Sequence, residues 1–226
     1  MKRNIIYLLF ALTLFVSSCE LDNYDAPNAK LFGQILDEET GGTIPQDLIE
    51  GSVVEYVELG YENPPRQQLR FKVDGSFRNN LMFSGSYAIQ PVRGNFRFVE
   101  SDTIQIEGDT EYNFTSLPYI RIKDVELTLS SDSTKITAAF TLEQTGNEKV
   151  KTLLMVADEN PNTGIIIRTI STGKNVNKVV DPTTVYKLTL RIKKLTKGKQ
   201  YFFRIGALID VPEAKYNWSE AIRMGV

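Results

Sequence analysis

The 226-residue chain contains no histidine. That absence removes the side chain that most often serves as a general base near neutral pH, and with it histidine-based catalytic triads and histidine-ligated zinc sites. Cysteine occurs once, at Cys19, so no intrachain disulfide can form and the folded regions must stand on packing alone. A surplus of positive charge is missing too: 26 basic residues face 28 acidic ones. A general nucleic-acid binder needs the opposite balance to neutralise phosphates, so no nucleic-acid partner is expected. No phosphate-cradling GxxxxGK[ST] loop occurs. Long apolar runs are absent as well. Ile5 to Val16 would cover roughly half to two-thirds of a bilayer core, for which a helix needs about 20 residues.

What the chain does have begins at Met1. Lys2 and Arg3, the apolar run Ile5 to Val16, and the small pair Ser17-Ser18 before Cys19 form the three parts of a cleaved secretory signal that ends at a lipid-attachment site. The segment resembles a bacterial lipoprotein signal with Val16-Ser17-Ser18-Cys19 as its lipobox. The commonest box instead has Leu at its first position and Gly or Ala just before the cysteine. The resemblance implies cleavage after residue 18 and acyl chains on Cys19, which would hold the protein on a membrane essentially permanently. The alternative is an ordinary signal peptide with an incidental cysteine. Residues 19–28, which include Glu20, Asp22, Asp25 and Pro27, read as a polar tether. Their acidity resembles the cluster that directs Bacteroidetes lipoproteins to the outer face of the outer membrane, or it belongs to a plain solvated linker.

After removal of Lys2 and Arg3, 24 basic residues remain against 28 acidic, a net charge of −4. The remaining length suits two domains of about 100 residues each. From Ala29 the pattern becomes short apolar runs with period-two alternation: Leu31 to Leu36, Val53 to Val57, Leu69 to Val73, Tyr87 to Ile89, Phe96 to Phe98 and Thr103 to Ile106. Gly41-Gly42, Asn63-Pro64-Pro65, Asp74-Gly75 and Gly94-Asn95 separate them as turns. Past Pro118 come Ile120 to Ile122, Val125 to Leu129, Ile136 to Leu142, Val150 to Val156, Val185 to Leu190 and Tyr201 to Ala207. No stretch keeps helical spacing. The expected fold class is all-β, two tandem β-sandwiches over residues 29–118 and 119–226 following the 1–18 signal and the 19–28 tether.

Gly33-Gln-Ile35-Leu-Asp37, Thr40-Gly41, Asp74-Gly75-Ser76-Phe77 and Gly85-Ser-Tyr87 together resemble the transthyretin-like, carboxypeptidase-regulatory-like domain. That domain serves as a binding or spacer module rather than an enzyme. Leu195-Thr-Lys-Gly198-Lys-Gln-Tyr201, with Asn217-Trp218-Ser219-Glu220 beyond it, resembles the end of a fibronectin type III domain. The resemblance implies a tyrosine corner, in which the Tyr201 ring packs inside while its hydroxyl caps a backbone group.

Few residues offer themselves as a site. Asp158, Asn160 and Asn162 place oxygen ligands at alternate positions as calcium loops do. Glycine comes one residue late and Thr169 stands where a bidentate glutamate belongs, so a plain turn is the other reading and no metal or other cofactor is expected. Asp37-Glu38-Glu39 could supply a carboxylate pair of glycosidase type or simply form a turn. The basic run Arg191, Lys193, Lys194, Lys197 and Lys199 reads as a protected sheet edge. Trp218 and the loop containing Tyr61 and Arg66 could stack on a sugar and orient it, or serve as packing and connection.

Taken together, the order of signal, acidic tether, transthyretin-like domain and fibronectin-like domain resembles a family of two-domain Bacteroidetes surface lipoproteins. Members accompany the TonB-dependent porin and lid lipoprotein of starch-utilisation-type uptake systems. The resemblance implies a non-catalytic outer-membrane lipoprotein, facing outside, that captures a glycan or peptide or scaffolds the uptake complex. The alternative is a fimbrial or adhesion subunit, which would need a removable amino-terminal strand and an arginine cleavage site; no arginine lies between Cys19 and Arg66.

Overall fold

The computed structural model describes residues 25–226, so Cys19 and the signal lie outside the described residues. Sixteen strands and no helix occur among them. The first domain holds β1 (Ala29–Asp37), β2 (Val53–Glu58), β3 (Gln67–Arg70), β4 (Ser76–Met82), β5 (Gly85–Val92), β6 (Asp102–Ile106), β7 (Asp109–Glu111) and β8 (Phe114–Ser116). In one sheet β1 lies centrally, antiparallel to β4 on one side and parallel to β7 and β8 on the other. The facing sheet runs β3-β2-β5-β6. Alternate residues of β1 point inward, so Leu31 and Ile35 meet Phe71, Phe77, Tyr87, Ile89 and Phe114 in one core. Fully burying such side chains contributes about 1.5–3 kcal/mol each.

Gly33 is required by a close approach. The bend between β7 and β8 brings the Tyr112 carbonyl against β1, where a Cβ at position 33 would lie 1.7 Å from its oxygen. The neighbouring backbone uses the same bend, since the Tyr112 N–H donates to Phe32 O and the Gln34 N–H to Asn113 Oδ1, both at 2.9 Å.

The second domain holds β9 (Ile120–Leu129), β10 (Lys135–Gln144), β11 (Val150–Asp158), β12 (Ile170–Lys178), β13 (Tyr186–Arg191), β14 (Gln200–Ile209), β15 (Asn217–Trp218) and β16 (Ile222–Gly225). A three-stranded sheet β13-β10-β9 packs on a sheet of order β12-β11-β14, with β15 and β16 both pairing with β14. The tyrosine corner forms: Tyr201 is buried and its hydroxyl accepts the Thr196 N–H at 2.9 Å. Arg191 closes β13, an edge strand whose outward residues Lys187, Thr189 and Arg191 are exposed, while Lys193, Lys194, Lys197 and Lys199 lie on the connection between β13 and β14.

Two expectations about strands are corrected, and one of the strands that no expectation covered is instructive. Strand β3 stops at Arg70, because Phe71 turns into the core and residues 72–75 form a turn in which the Gly75 N–H donates to Lys72 O. Residues 96–98 make only an isolated bridge, Phe96 to Pro118, as the β5–β6 connection passes along the domain boundary. Strand β12 escaped notice because its sequence, ISTGKNVNK, has no inward apolar alternation; it is an exposed edge held by its ladder to β11.

Candidate functional site

The two domains meet through a seam of buried polar groups. Asn95, fully buried, donates from Nδ2 to Pro45 O at 2.9 Å and to Tyr216 O at 3.1 Å, and accepts the Gln46 side-chain amide at 2.7 Å. Its carbonyl receives the Tyr119 N–H at 3.0 Å and Asn217 Nδ2 at 2.8 Å. Arg204 is only 2% exposed. From β14 it reaches Ser219 O (3.0 Å), Thr163 O (3.2 Å) and, across the boundary, Gln46 O (3.0 Å). Burial pulls its pKa down to about 10, partly opposed by the Asp47 charge, so it stays protonated at neutral pH. Asp47 itself accepts the Ile165 N–H of the second domain at 2.7 Å.

Two ion pairs flank the seam. Arg121 grips Asp37 through Nε and Nη2, at 2.5 and 2.8 Å, and also reaches Glu39 and Glu143. Burial alone would raise the Asp37 pKa, but hydrogen bonds from Arg121, the Glu39 N–H and Thr40, with the Arg121 charge, together hold the carboxyl below its ordinary value. The acidic turn of the first domain is therefore an inter-domain clamp. On the other flank Arg97 forms a fork with Glu148, whose pKa those hydrogen bonds lower to about 2 against the opposing effect of burial.

Beside this second ion pair the domains leave a cleft of about 330 Å³. One wall comes from the end of β5 and the segment after it, including Gln90, Arg93, Arg97 and Phe98. Tyr119, between the domains, and Glu213, on the β14–β15 connection, close it. The Phe98 ring is 75% exposed although aromatic, whereas the Tyr119 ring is covered by the Arg97 guanidinium at 4.8 Å. Arg93 has one nitrogen on Glu55 at 2.8 Å, which leaves most of its fork of donors for a ligand. An open ring face, a guanidinium and a carboxylate in one groove suit a polyhydroxylated ligand, which presents apolar C–H faces and hydroxyls together.

The residues expected from sequence separate. Arg66 joins the rim of this cleft indirectly, because Glu55 accepts from Arg66 (2.7 Å), Gln68 (3.0 Å) and Arg93 at once. Burial would raise the Glu55 pKa, but the hydrogen bonds from Arg66 and Gln68 keep it below the ordinary value. Tyr61 is exposed but lies past the opposite end of β2, away from the cleft. Trp218 must be withdrawn as a ligand platform: it is 4% exposed, with Arg204 over its ring at 5.1 Å and Tyr216 at 5.5 Å. Gly206 opposite makes room for it, as a Cβ there would come within 2.8 Å of the indole. Asp158, Asn160 and Asn162 form turns, with Asp158 and Asn160 side-chain oxygens accepting the N–H two residues on at 2.9 Å. Among the described residues no group of three or more acidic side chains is placed to share a metal ion.

Sequence reading missed Phe98, Arg93 and Glu213. Phe98 looked like an ordinary strand residue. Strand alternation would place Phe96 and Phe98 on one face; because residues 96–98 do not form a strand, Phe96 is buried and Phe98 exposed, and nothing in the sequence pattern marks the difference.

This two-domain all-β chain carries several grooves of mixed aromatic and charged lining between its domains, the Phe98 cleft among them, a form suited to binding. Comparison with known sequences narrows this class. The family model for the N-terminal domain of a protein of unknown function, DUF3823, matches residues 29–116. Its C-terminal companion, DUF3823_C, also of unknown function, matches residues 120–223. The chain belongs to the DUF3823 family. Among solved structures it is similar to a protein of Bacteroides uniformis ATCC 8492 for which carbohydrate binding has been proposed, at 27% identity and TM-score 0.78, over 88% of this chain and 100% of that one. A DUF3823 protein of Parabacteroides merdae ATCC 43184 aligns over the same shares at 22% identity and TM-score 0.75. No curated protein matches.

Proposed function

We propose that the protein is a non-catalytic carbohydrate-capturing lipoprotein of the outer-membrane surface, serving a TonB-dependent porin and its lid lipoprotein. The observation that carries the reading is the exposed Phe98 ring at an inter-domain cleft, beside the uncommitted donors of Arg93 and the carboxylate of Glu213. The carbohydrate binding proposed for the Bacteroides uniformis relative supports it. Cys19 and the acidic tether support the location, and the absence of histidine and of a free thiol in the folded part supports a task without catalysis. The fimbrial alternative needs a removable first strand. Here β1 is the central strand of its sheet, paired on both edges and buried on its inward face, so its removal would open the core.

Two measurements test the reading. Titration with a panel of soluble oligosaccharides should show binding that Phe98→Ala weakens about two- to tenfold, the scale of losing one aromatic contact of about 0.5–1.5 kcal/mol; binding unchanged by Phe98→Ala would remove the cleft from consideration. Pull-down from detergent-solubilised outer membranes should recover a TonB-dependent porin with its lid lipoprotein, whereas recovery of self-polymers would favour the fimbrial reading.

A further inference from the structure

The end of the first domain farthest from the second domain carries an apolar rim around the point where the chain enters. Asn28, just before β1, accepts the Ser84 N–H through Oδ1 at 2.8 Å, and Ala29 pairs with Met82. The β4–β5 turn is thereby fixed beside the entry point. Strand β2 ends next to it, since Glu58 pairs with Tyr87 and the Leu59 N–H donates to Ser86 O at 2.8 Å. The Tyr87 hydroxyl then donates to Phe83 O at 3.0 Å, which holds the turn outward. The result gathers four exposed large apolar side chains at one tip: Leu59 and Tyr61 on the loop after β2, Leu81 near the end of β4 and Phe83 on the β4–β5 turn, with Leu81 73% and Tyr61 67% exposed. Scattered exposed apolar residues need no explanation, but a cluster at one tip does.

We infer that this tip is a membrane-seating surface, its four side chains entering the boundary between headgroups and acyl chains. The inference rests on the reading of Cys19 as the lipid anchor. From Cys19 to Asn28 is a tether that, fully extended, reaches about 30 Å, so an anchored chain would meet the bilayer with the end from which the tether emerges. Tyrosine and phenylalanine suit that boundary, where one part of the ring is dry and another wet. Glu58, Glu62 and Glu107 stand near the rim. Attraction must therefore come from apolar burial and not from anionic lipid, and it should persist in high salt. The same geometry turns the second domain and the inter-domain cleft away from the membrane, toward external ligand.

The test replaces the natural anchor, so that the two readings fail separately. Residues 25–226 contain both cores, and the solved relatives align along their whole length with 88% of this chain. This stretch, carrying an amino-terminal hexahistidine tag, is held on phosphatidylcholine vesicles through a nickel-chelating lipid. Phe83→Trp is compared with Phe98→Trp, with buried Trp218 as a constant background. Brominated acyl chains should quench the Phe83→Trp emission roughly twofold, as expected for an indole at the acyl boundary, and leave Phe98→Trp unchanged. Should Phe83→Trp fail to fold, Tyr61→Trp takes its place with the same expectation. Quenching at neither reporter, or equally at both, overturns the inference. Loss of a palmitate analogue in Cys19→Ala, measured in cells, tests the anchor by itself.

Discussion

The buried seam and the open cleft use the same side chains, arginine, amide and aromatic ring, a few residues apart. Asn95 and Phe98 are separated by two residues, yet one is enclosed and the other exposed. In the seam, Arg204 donates to three carbonyls and Asn95 to two. In the cleft, Arg93 has one protein partner and the Phe98 ring is open. The lesson is that residue type alone does not mark a binding site. An enclosed arginine with three hydrogen bonds to backbone carbonyls holds the domains together, and one with unmatched donors at a groove can hold a ligand.

Breaking the seam should have the largest effect on stability. Arg204→Ala strands three buried carbonyl acceptors and removes the cation stacked on Trp218, at a cost of about 3–5 kcal/mol; a chemical-denaturation midpoint close to wild type would show that the seam is not what couples the domains. Asn95→Ala should cost less, about 2–3 kcal/mol, because it leaves the Pro45 and Tyr216 carbonyls without that donor and takes one of two acceptors from the Gln46 amide, but removes no charge. The same denaturation curves would check it, with Trp218 emission reporting whether the inter-domain environment opens first.

The flank of the seam sharpens the comparison through pH. Glu148 has its pKa lowered in the folded state to about 2 from an ordinary 4.5. A carboxylate depressed in this way stabilises the fold above its ordinary value, and that contribution fades as pH falls from about 4.5 to about 2. Both partners are about one-third exposed, so screening limits the contribution to about 1 kcal/mol. Glu148→Gln should flatten the loss of stability in that window. An unchanged slope would assign the acid sensitivity to Asp37, Glu55 and Glu143, which are shifted in the same direction. Smallest of all should be the stability effect of Phe98→Ala. Its ring is mostly in water, so a change within about 0.5 kcal/mol is expected, and a larger loss would make Phe98 a packing residue.

Period-two alternation and the turn pairs determined the class of fold, because inward residues such as Leu31, Ile35, Phe140 and Leu142 must be apolar wherever a sandwich closes over them. Local chemistry also fixed the tyrosine corner, since the glycine turn and Tyr201 lie within one short stretch. Strand β12 was invisible for the converse reason: it is held by backbone pairing and not by apolar side chains. What only the tertiary structure decided is the use of each polar residue. Trp218 reads the same in sequence whether it faces a sugar or lies under Arg204, and Asp37 reads the same whether free or gripped by Arg121 from the other domain. Those partners lie up to 84 residues apart along the chain. Arg204 and Trp218 meet across paired strands of one domain, but the meeting of Asp37 with Arg121 depends on how two complete sandwiches are set against each other, and that setting leaves no periodic mark in either one.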